Sequence, residues 1–206
     1  MTIIHPASTT SPLRLYGRRL MLRPLTPSDF PVWSEVRIRN HDWLTKWEPT
    51  RPATTPDPTR DRDAFTARCA QRDRDRQMGT GFSFGIFVGP LLVGEININN
   101  VARGSLQTAS VGYWIDQQYA GQGLTAEGVV VALKYAFNEL KLHRIEICII
   151  PRNKNSHRVV EKIGLRSEGT AIGFLEINGV WEDHVRYAIT AEEWQARRNE
   201  LAEQFL

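Results

Sequence analysis

The sequence predicts one α/β layered domain, in which helices flank a mixed, mostly antiparallel sheet. Its 206 residues are enough for one domain with a substantial core. Three apolar runs at 82–88, 91–99 and 106–115 are joined by short turns, a pattern typical of an antiparallel meander. The order then changes to β-α-β-α and ends in a hairpin across Asn178-Gly179, a pair that favours a type I′ turn. This order of elements predicts the fold class.

The remaining elements follow from periodicity and from start and stop signals. Leu20 and Leu22 alternate with arginines and predict a strand over 18–25. The segment Thr26-Pro27-Ser28-Asp29 is typical of a helix start. The further predictions are a helix to about 39, a short helical piece at 40–47, a loop at 50–58, helices at 59–77 and 124–140, a strand at 144–150, a helix at 153–163 closed by Gly164, hairpin strands at 171–177 and 181–189, and a terminal helix at 191–204.

The chain is predicted to have three parts. Residues 1–17 indicate a flexible lead, because they show neither the basic region and apolar core of a secretory signal nor a periodic pattern. Residues 18–190 form the predicted domain, and residues 191–206 a C-terminal helix that packs on it or extends it. Without an export signal, Cys69 and Cys148 indicate reduced thiols in a cytoplasmic protein.

Composition argues against several classes of protein. Hydrophobic residues at 41% and charged residues at 24% are those of an ordinary soluble globular chain. No apolar run approaches the roughly 18 residues of a membrane span, and the histidines and cysteines lack metal-ligand spacing. The net charge of +3 suits an anionic cofactor or work near a ribosome, but does not indicate a nucleic-acid binder. Charges of both signs alternate along 60–76, which favours a solvated helix face over a nucleic-acid patch.

A glycine-containing turn at 118–123 (Gln-Tyr-Ala-Gly-Gln-Gly) lies between a predicted strand and a predicted helix. Such a turn leaves backbone N–H groups free at a helix N-terminus, where the helix dipole adds partial positive charge. A phosphate or pyrophosphate is the natural ligand of this arrangement. Side chains at Gly121 and Gly123 would hold that ligand away from the backbone.

Three interpretations of this turn remain open from its residues alone. It is a pyrophosphate loop, a dinucleotide fingerprint over Gly121-x-Gly123-x-x-Ala126, or a strand-to-helix turn without a ligand. The dinucleotide interpretation is disfavoured, because four residues separate the turn from its strand. The nearest acidic residue, Glu146, also lies inside the next strand rather than at its end.

Taken together, motifs from Arg18 to Thr190 resemble the GNAT superfamily of acetyltransferases. Within it the chain is similar to the RimJ/RimL-type ribosomal-protein N-terminal acetyltransferases, and most of all to the RimJ group. The motifs are Trp47-Glu48-Pro49, Asn99-Asn100-Val101, Arg103-Gly104, Gly112-Tyr113, the 118–123 loop, Glu127, His143-Arg144, Asn153-x-x-Ser156, Lys162-x-Gly164, Glu168-Gly169 and Gly179-x-Trp181-x-Asp183-His184. Leu165 departs from the family, which usually has Phe there, as an apolar packing change.

The resemblance implies a GNAT fold and acetyl-CoA as co-substrate, without a metal. Backbone amides from Gln122 to Thr125 would hold the pyrophosphate, and Gln118 would brace the loop. The backbone groups of Trp114 and Ile115 would pair with the pantetheine arm like an added strand. Asn153 would bind the arm, or else cap its helix, or do both. Arg158 would contact either phosphate or only solvent. The residues implied in cofactor binding are Trp114, Ile115, Gln118, Gly121, Gln122, Gly123, Leu124, Thr125, Asn153, Ser156 and Arg158.

The implied reaction is direct attack of a free amine on the thioester. Ser156 is the candidate that protonates the leaving thiolate, or else a first-turn serine that satisfies a backbone group. Glu48 is the candidate that receives or deprotonates the amine, or else part of a packed corner. Cys148 lacks an adjacent histidine and is predicted to be a buried packing residue rather than a nucleophile. The candidate acceptor groove comprises Trp47, Glu48, Asn97, Asn100, Tyr113, Trp114 and, as a weaker base, Glu176.

The resemblance predicts an acetyl-CoA-dependent Nα-acetyltransferase whose partner is a ribosomal-protein N-terminus, that of ribosomal protein S5 above others. The ribosome or its assembly intermediates are a further expected partner. Sequence-specific binding of nucleic acid and binding to membranes are not expected. Either a monomer or a homodimer fits. Two alternatives remain: acetylation of a small amine such as an antibiotic, polyamine or amino acid, and a ribosome-assembly docking role with little catalysis.

Overall fold

A computed structural model describes residues 13–52 and 54–206, and its central feature is one eight-stranded sheet. The strand order is β1-β2-β3-β4-β5-β6-β8-β7. The strands are β1 Leu15–Tyr16, β2 Met21–Arg23, β3 Phe82–Val88, β4 Leu91–Ala102, β5 Thr108–Ile115, β6 Arg144–Ile149, β7 Arg166–Ile177 and β8 Val180–Thr190. The helices are α1 Phe30–Arg39, α2 His41–Leu44, α3 Arg62–Met78, α4 Leu124–Asn138, α5 Lys154–Ile163 and α6 Ala191–Phe205, with short 3₁₀ turns at Pro27–Asp29, Thr45–Trp47 and Gln117–Tyr119.

Antiparallel pairing joins every pair of neighbouring strands except β5 and β6, which run parallel. The β5–β6 pairing covers only 108–110 on β5 and 144–146 on β6. Beyond Ser110 the two strands separate, so the sheet splays open along the second half of β5. The predicted mixed, mostly antiparallel sheet is confirmed.

Helices cover both faces of the sheet and bury two apolar cores. The larger core lies between the sheet and α4, α5 and α6, and α4 is buried along most of its length. Trp194 of α6 stacks on Phe137 of α4 at 5.7 Å between ring centroids, so the C-terminal helix packs on the domain. The smaller core joins α1 and α3 to the opposite face around Trp33 and Phe65.

Local signals account for most of the element boundaries. Asn153 caps α5 by accepting the Ser156 N–H at 3.2 Å, and Gly164 ends the helix at a φ of 70°. In the last hairpin Asn178 and Gly179 both have positive φ, as the predicted type I′ turn requires. None of the helices within the described ranges is long and apolar enough to cross a membrane.

Four predicted boundaries are corrected. The lead at 1–17 was expected to be flexible, but β1 already pairs with β2 at Leu15–Tyr16, while residues 1–12 lie outside the described part. Helix α3 begins at Arg62 rather than 59, because the Asp61 side chain accepts the first free N–H groups. Strand β4 continues to Ala102 through a bulge, and β7 begins at Arg166 rather than 171. Strand β7 is an exposed edge, so burial imposes no alternation of polar and apolar residues on it.

Candidate active site

A cavity of about 620 Å³ opens where the sheet splays. One wall is the second half of β5, the second is formed by the N-terminal turns of α4 and α5, and the third is the α2 segment that continues to residue 49. The predicted site residues that line the cavity are Trp47, Glu48, Asn97, Tyr113, Trp114, Ile115, Gly121, Gly123, Thr125, Asn153, Ser156 and Arg158. The fold therefore brings together in one cavity most of the residues that the sequence singles out.

The glycine-containing loop adopts the backbone that its glycines allow. Gly121 has a φ of 77° and Gly123, the N-cap of α4, a φ of 80°, both in the left-handed region. The loop is braced by the Gln122 side chain, which donates to the Gln118 carbonyl at 3.1 Å. Gln118 was expected to brace the loop, and in the structure its backbone carbonyl is the group that takes part in this contact.

Three cationic side chains surround this helix N-terminus. Arg158 and Lys162, one turn apart on α5, line the cavity. A Cβ atom at Gly123 would lie 3.1 Å from Lys162 Nζ and 3.5 Å from Arg19 Nη2. Sequence reasoning missed Lys162 and Arg19 as candidate anion ligands. Spacing four residues after Arg158 could have indicated Lys162, whereas no local signal connects Arg19 to a loop a hundred residues later.

A buried carboxylate holds Arg19 against the loop. Glu127 of α4 is 1% exposed and accepts the Arg19 backbone N–H at 2.6 Å and its Nε at 2.8 Å. The Arg19 Nη1 then donates to the Gln122 carbonyl at 3.0 Å. This arrangement fixes the middle of the loop and leaves its amides free, and it gives Glu127 a physical role as an anchor.

Backbone register shows which groups of β5 face the splay. Ile115 pairs with Gly94, and the Asp116 N–H donates to the Val93 carbonyl at 2.8 Å, so Ile115 and Gly94 form a non-hydrogen-bonded pair. The backbone N–H and C=O of Ile115, and those of Tyr113 two residues earlier, therefore point away from β4 and toward β6. Groups that face the splay in this way can pair with an added extended ligand.

Two findings correct the expectation for the β5 backbone. Trp114 occupies the alternate position, so its N–H and C=O face β4, and its contribution to the cavity comes from other atoms. The Ile115 carbonyl already accepts the Trp43 Nε1–H at 3.1 Å. Trp43, another cavity-lining residue, was not among the predicted site residues.

Ser156 lies at the first turn of α5, and the hydrogen bonds it makes there use its backbone groups rather than its hydroxyl. Its backbone N–H is satisfied by Asn153 at 3.2 Å, and its backbone carbonyl accepts the Tyr113 hydroxyl at 3.3 Å. Asn153, and not the Ser156 hydroxyl, therefore satisfies the free backbone N–H at this helix start. Tyr113 was expected in the acceptor groove, but β5 turns it toward Ser156, on the α4–α5 side of the sheet.

Glu48 forms a two-pronged ion pair with Arg37 at the opposite wall. Each of its carboxylate oxygens accepts one guanidinium N–H at 2.7 Å. The guanidinium of Arg37 also lies 5.2 Å from the Trp114 ring centroid, which fixes its orientation. Glu48 is therefore a positioned, paired carboxylate with 33% of its side chain exposed. Trp47 beside it lies under the Arg152 guanidinium, 4.9 Å from the ring centroid.

Of the remaining acceptor candidates, only Asn97 lies in the cavity. Its Oδ1 is buried and has no hydrogen-bond partner among residues 13–52 and 54–206, so this oxygen is available to a ligand. Asn100 lies outside the cavity, exposed on the β4 bulge at a φ of 55°. Glu176 is exposed on β7, opposite Trp181, and it too lies outside. Both were predicted to contact the acceptor, and the structure places neither there.

Cys148 is less buried than predicted, but its surroundings agree with the prediction that it is not a nucleophile. It is half-buried and shares the polar face of β6 with Glu146 rather than the core face with Ile147 and Ile149. Burial raises the pKa of its thiol, which keeps the thiolate fraction small. Its neighbour across the β6–β8 ladder is Arg186, not a histidine. This environment does not favour a nucleophilic cysteine.

Similarity to known proteins identifies the family of this chain. A family profile described as an acetyltransferase (GNAT) domain matches residues 19–166. The chain belongs to the GNAT acetyltransferase family. The predictions of fold, family and N-acetyltransferase activity are thereby confirmed.

Individual relatives of this GNAT acetyltransferase cover nearly all of it. The [ribosomal protein uS5]-alanine N-acetyltransferase of Escherichia coli is 31% identical over 193 residues, which are 93% of this chain and 97% of that protein. The probable N-acetyltransferase YjcK of Bacillus subtilis is 36% identical over 177 residues, 85% of this chain and 96% of that one. Mycobacterium smegmatis RimJ, solved in complex with CoA-disulfide, superposes with a TM-score of 0.84 at 30% identity over 98% of this chain and 99% of that chain.

Proposed function

We propose that this acetyltransferase transfers the acetyl group of acetyl-CoA to the α-amine of a protein N-terminus, with the N-terminal alanine of ribosomal protein uS5 as the favoured acceptor. The observation that carries the proposal is one continuous cavity, with an anion-binding helix N-terminus at one end and the Glu48 carboxylate at the other. Similarity to the uS5-alanine acetyltransferase of Escherichia coli along nearly the whole chain supports the choice of acceptor. A cytoplasmic location is part of the same proposal.

Acetyl-CoA is the acetyl donor, and the cavity has groups for each part of it. Free amides at the start of α4, together with Arg19, Arg158 and Lys162, suit the pyrophosphate. Backbone groups of Tyr113 and Ile115 suit the amides of the pantetheine arm. The bound molecule supplies an activated thioester carbonyl, and the protein orients it and excludes water.

Acceptor binding uses the face of the sheet that carries α1 and α3. The unpartnered Asn97 amide and the Glu48 carboxylate offer hydrogen-bond acceptors to an incoming amine. An α-amine has a reference pKa near 8, so a carboxylate that acts directly or through water is enough to help it lose its proton. On the other side of β5, the Ser156 hydroxyl is positioned to donate a proton to the departing sulfur.

The decisive experiment measures thiol release from acetyl-CoA with a short peptide that begins with the uS5 N-terminal alanine and contains lysine. The control is the same peptide with its α-amine blocked. Turnover that disappears on blocking supports Nα-acetylation. Release that is indifferent to blocking favours lysine or small-amine acceptors. Coenzyme A binding without any release of thiol favours a docking role.

Replacing Gly123 by alanine is expected to raise the Kd for coenzyme A about tenfold. An alanine at a φ of 80° carries a left-handed penalty of about 1–2 kcal/mol, and its methyl group would crowd Lys162 Nζ at 3.1 Å. Isothermal titration calorimetry measures the change. Gly104→Ala is the matched control, because Gly104 has a φ of 70° in open space away from the cavity. Equal coenzyme A affinity in the two variants would contradict the role of the loop.

A further inference from the structure

A buried polar pair lies behind the cavity, between α1 and the end of β5. Asn40 is 2% exposed and Asp116 is fully buried. The Asn40 Nδ2 donates to Asp116 Oδ1 at 2.9 Å and to the Val36 carbonyl at 2.8 Å. The other oxygen of Asp116 accepts from Arg39. Buried polar groups with this many partners hold a single geometry, because any shift would leave one of them unpaired.

The same pair determines the path of the chain into the cofactor loop. The Asn40 Oδ1 accepts the Gln117 N–H at 2.9 Å, and Asp116 Oδ1 accepts the Gln118 N–H at 3.2 Å. Gln118 in turn accepts the Gln122 side chain, which braces the turn. Hydrogen bonds therefore connect the Asn40–Asp116 pair, through Gln117 and Gln118, to the Gln122 side chain of the loop.

On its other side Asn40 immediately precedes α2, the helix of the acceptor wall. Its carbonyl accepts the Leu44 N–H at 3.0 Å, and both Leu44 and Trp43 line the cavity. Neither Asn40 nor Asp116 lines the cavity itself. The pair thus fixes the acceptor wall and the cofactor loop to one common point without contact with either substrate.

We propose that Asn40 is a positioning residue for acetyl-CoA, acting through Asp116 to hold the 116–123 loop in the conformation that presents its amides. This inference rests on the proposed role of that loop in pyrophosphate binding. It assigns a cofactor-affinity function to an asparagine on the acceptor-side helices, a part of the fold in which the sequence motifs place no cofactor residue.

A carboxylate of the same shape cannot replace the Asn40 amide, because it would place a second negative charge beside Asp116. Burial alone raises the pKa of Asp116, but hydrogen bonds from Arg39, Asn40 and the Gln118 N–H outweigh it and hold the pKa below its usual range. Two further titratable groups act on Arg39, the ion-pair partner of Asp116: Glu35, which binds it, and Tyr119. A second carboxylate at position 40 would face an ionised partner about 3 Å away and would retain a proton at a raised pKa.

The test is Asn40→Asp, measured by coenzyme A titration calorimetry and by kinetics. At pH 8 the Kd for coenzyme A is expected to rise at least tenfold over wild type. As the pH falls to 5.5, one carboxyl group regains a proton and can donate again, so the ratio of variant Kd to wild-type Kd should shrink. The KM for acetyl-CoA should rise while kcat at saturation changes less than threefold.

Two further variants keep the inference open to contradiction. Asn199→Asp makes the same substitution on the exposed face of α6 and is expected to leave the Kd unchanged at every pH. Asp116→Asn removes a negative charge instead of adding one. It is expected to raise the Kd about tenfold without the recovery at low pH, and it serves if the first variant fails to fold. If Asn40→Asp and Asp116→Asn both bind coenzyme A with wild-type affinity, the inference is overturned and the proposed function is not. Failure of the wild type to bind coenzyme A would overturn the proposed function and the inference together.

Discussion

Replacing Glu48 by glutamine is expected to lower kcat/KM for the acceptor peptide about 100-fold, which corresponds to about 2.7 kcal/mol of transition-state stabilisation. The change keeps the shape of the side chain and removes the negative charge at the acceptor wall. Affinity for coenzyme A should change less than twofold, because the anion-binding loop lies at the other end of the cavity. Steady-state kinetics with the uS5 peptide and calorimetry with coenzyme A measure the two quantities.

The ion pair with Arg37 gives this prediction an internal check. The single substitution also leaves the mostly buried Arg37 guanidinium without its charged partner, and that alone disturbs the acceptor wall. The double variant Arg37→Met, Glu48→Gln removes both charges together. If activity returns in the double variant, Glu48 serves only to hold Arg37. If the loss persists, the carboxylate acts on the amine.

Glu176→Gln is the matched control for the same chemical change. Glu176 is exposed on β7 and lies outside the cavity, so its substitution is expected to leave kcat/KM within twofold of wild type. A large loss at Glu176 with none at Glu48 would reverse the assignment and would show that the hairpin closes over the acceptor in solution.

The sequence predicts the architecture well because the architecture follows from local patterns. The meander, the cap at Asn153 and the turn at Asn178 depend on residues that lie close together in the chain, and the structure has them where the patterns place them. Edge strand β7 begins five residues earlier than predicted, because an exposed edge imposes no apolar alternation. The signal is weakest where burial is least.

The candidate site is predicted less completely, because its missing members act across long distances in sequence. Arg19 and Asn40 reach the loop through hydrogen bonds to residues 103 and 77 positions later, and no spacing rule connects such positions. Motif matching placed Asn100 in the acceptor groove, but a bulge turned it outward. Side-chain direction in a sheet depends on register, and one irregularity reverses it.

Ser156→Ala is expected to lower kcat about 10- to 100-fold while the KM for acetyl-CoA stays within twofold of wild type. The helix cap survives the change, because Asn153 accepts the backbone N–H of residue 156 and not its hydroxyl. The loss is therefore one of chemistry rather than of fold. Steady-state kinetics at saturating peptide measure it, and Ser167→Ala on the exposed β7 serves as the matched control.

Tyr113 is the competing proton donor, since its hydroxyl lies within hydrogen-bond distance of the Ser156 carbonyl. Although the residue is partly exposed, its hydroxyl is enclosed, and burial raises the pKa of this phenol well above its usual value. The phenol thus stays protonated across the working pH range, and it already donates its proton to a carbonyl. Tyr113→Phe is expected to cost less than threefold in kcat. A larger loss in Tyr113→Phe than in Ser156→Ala would assign the proton to the tyrosine, and Ser156→Thr, which keeps a hydroxyl, separates the two cases by retaining activity only if the hydroxyl of residue 156 is the donor.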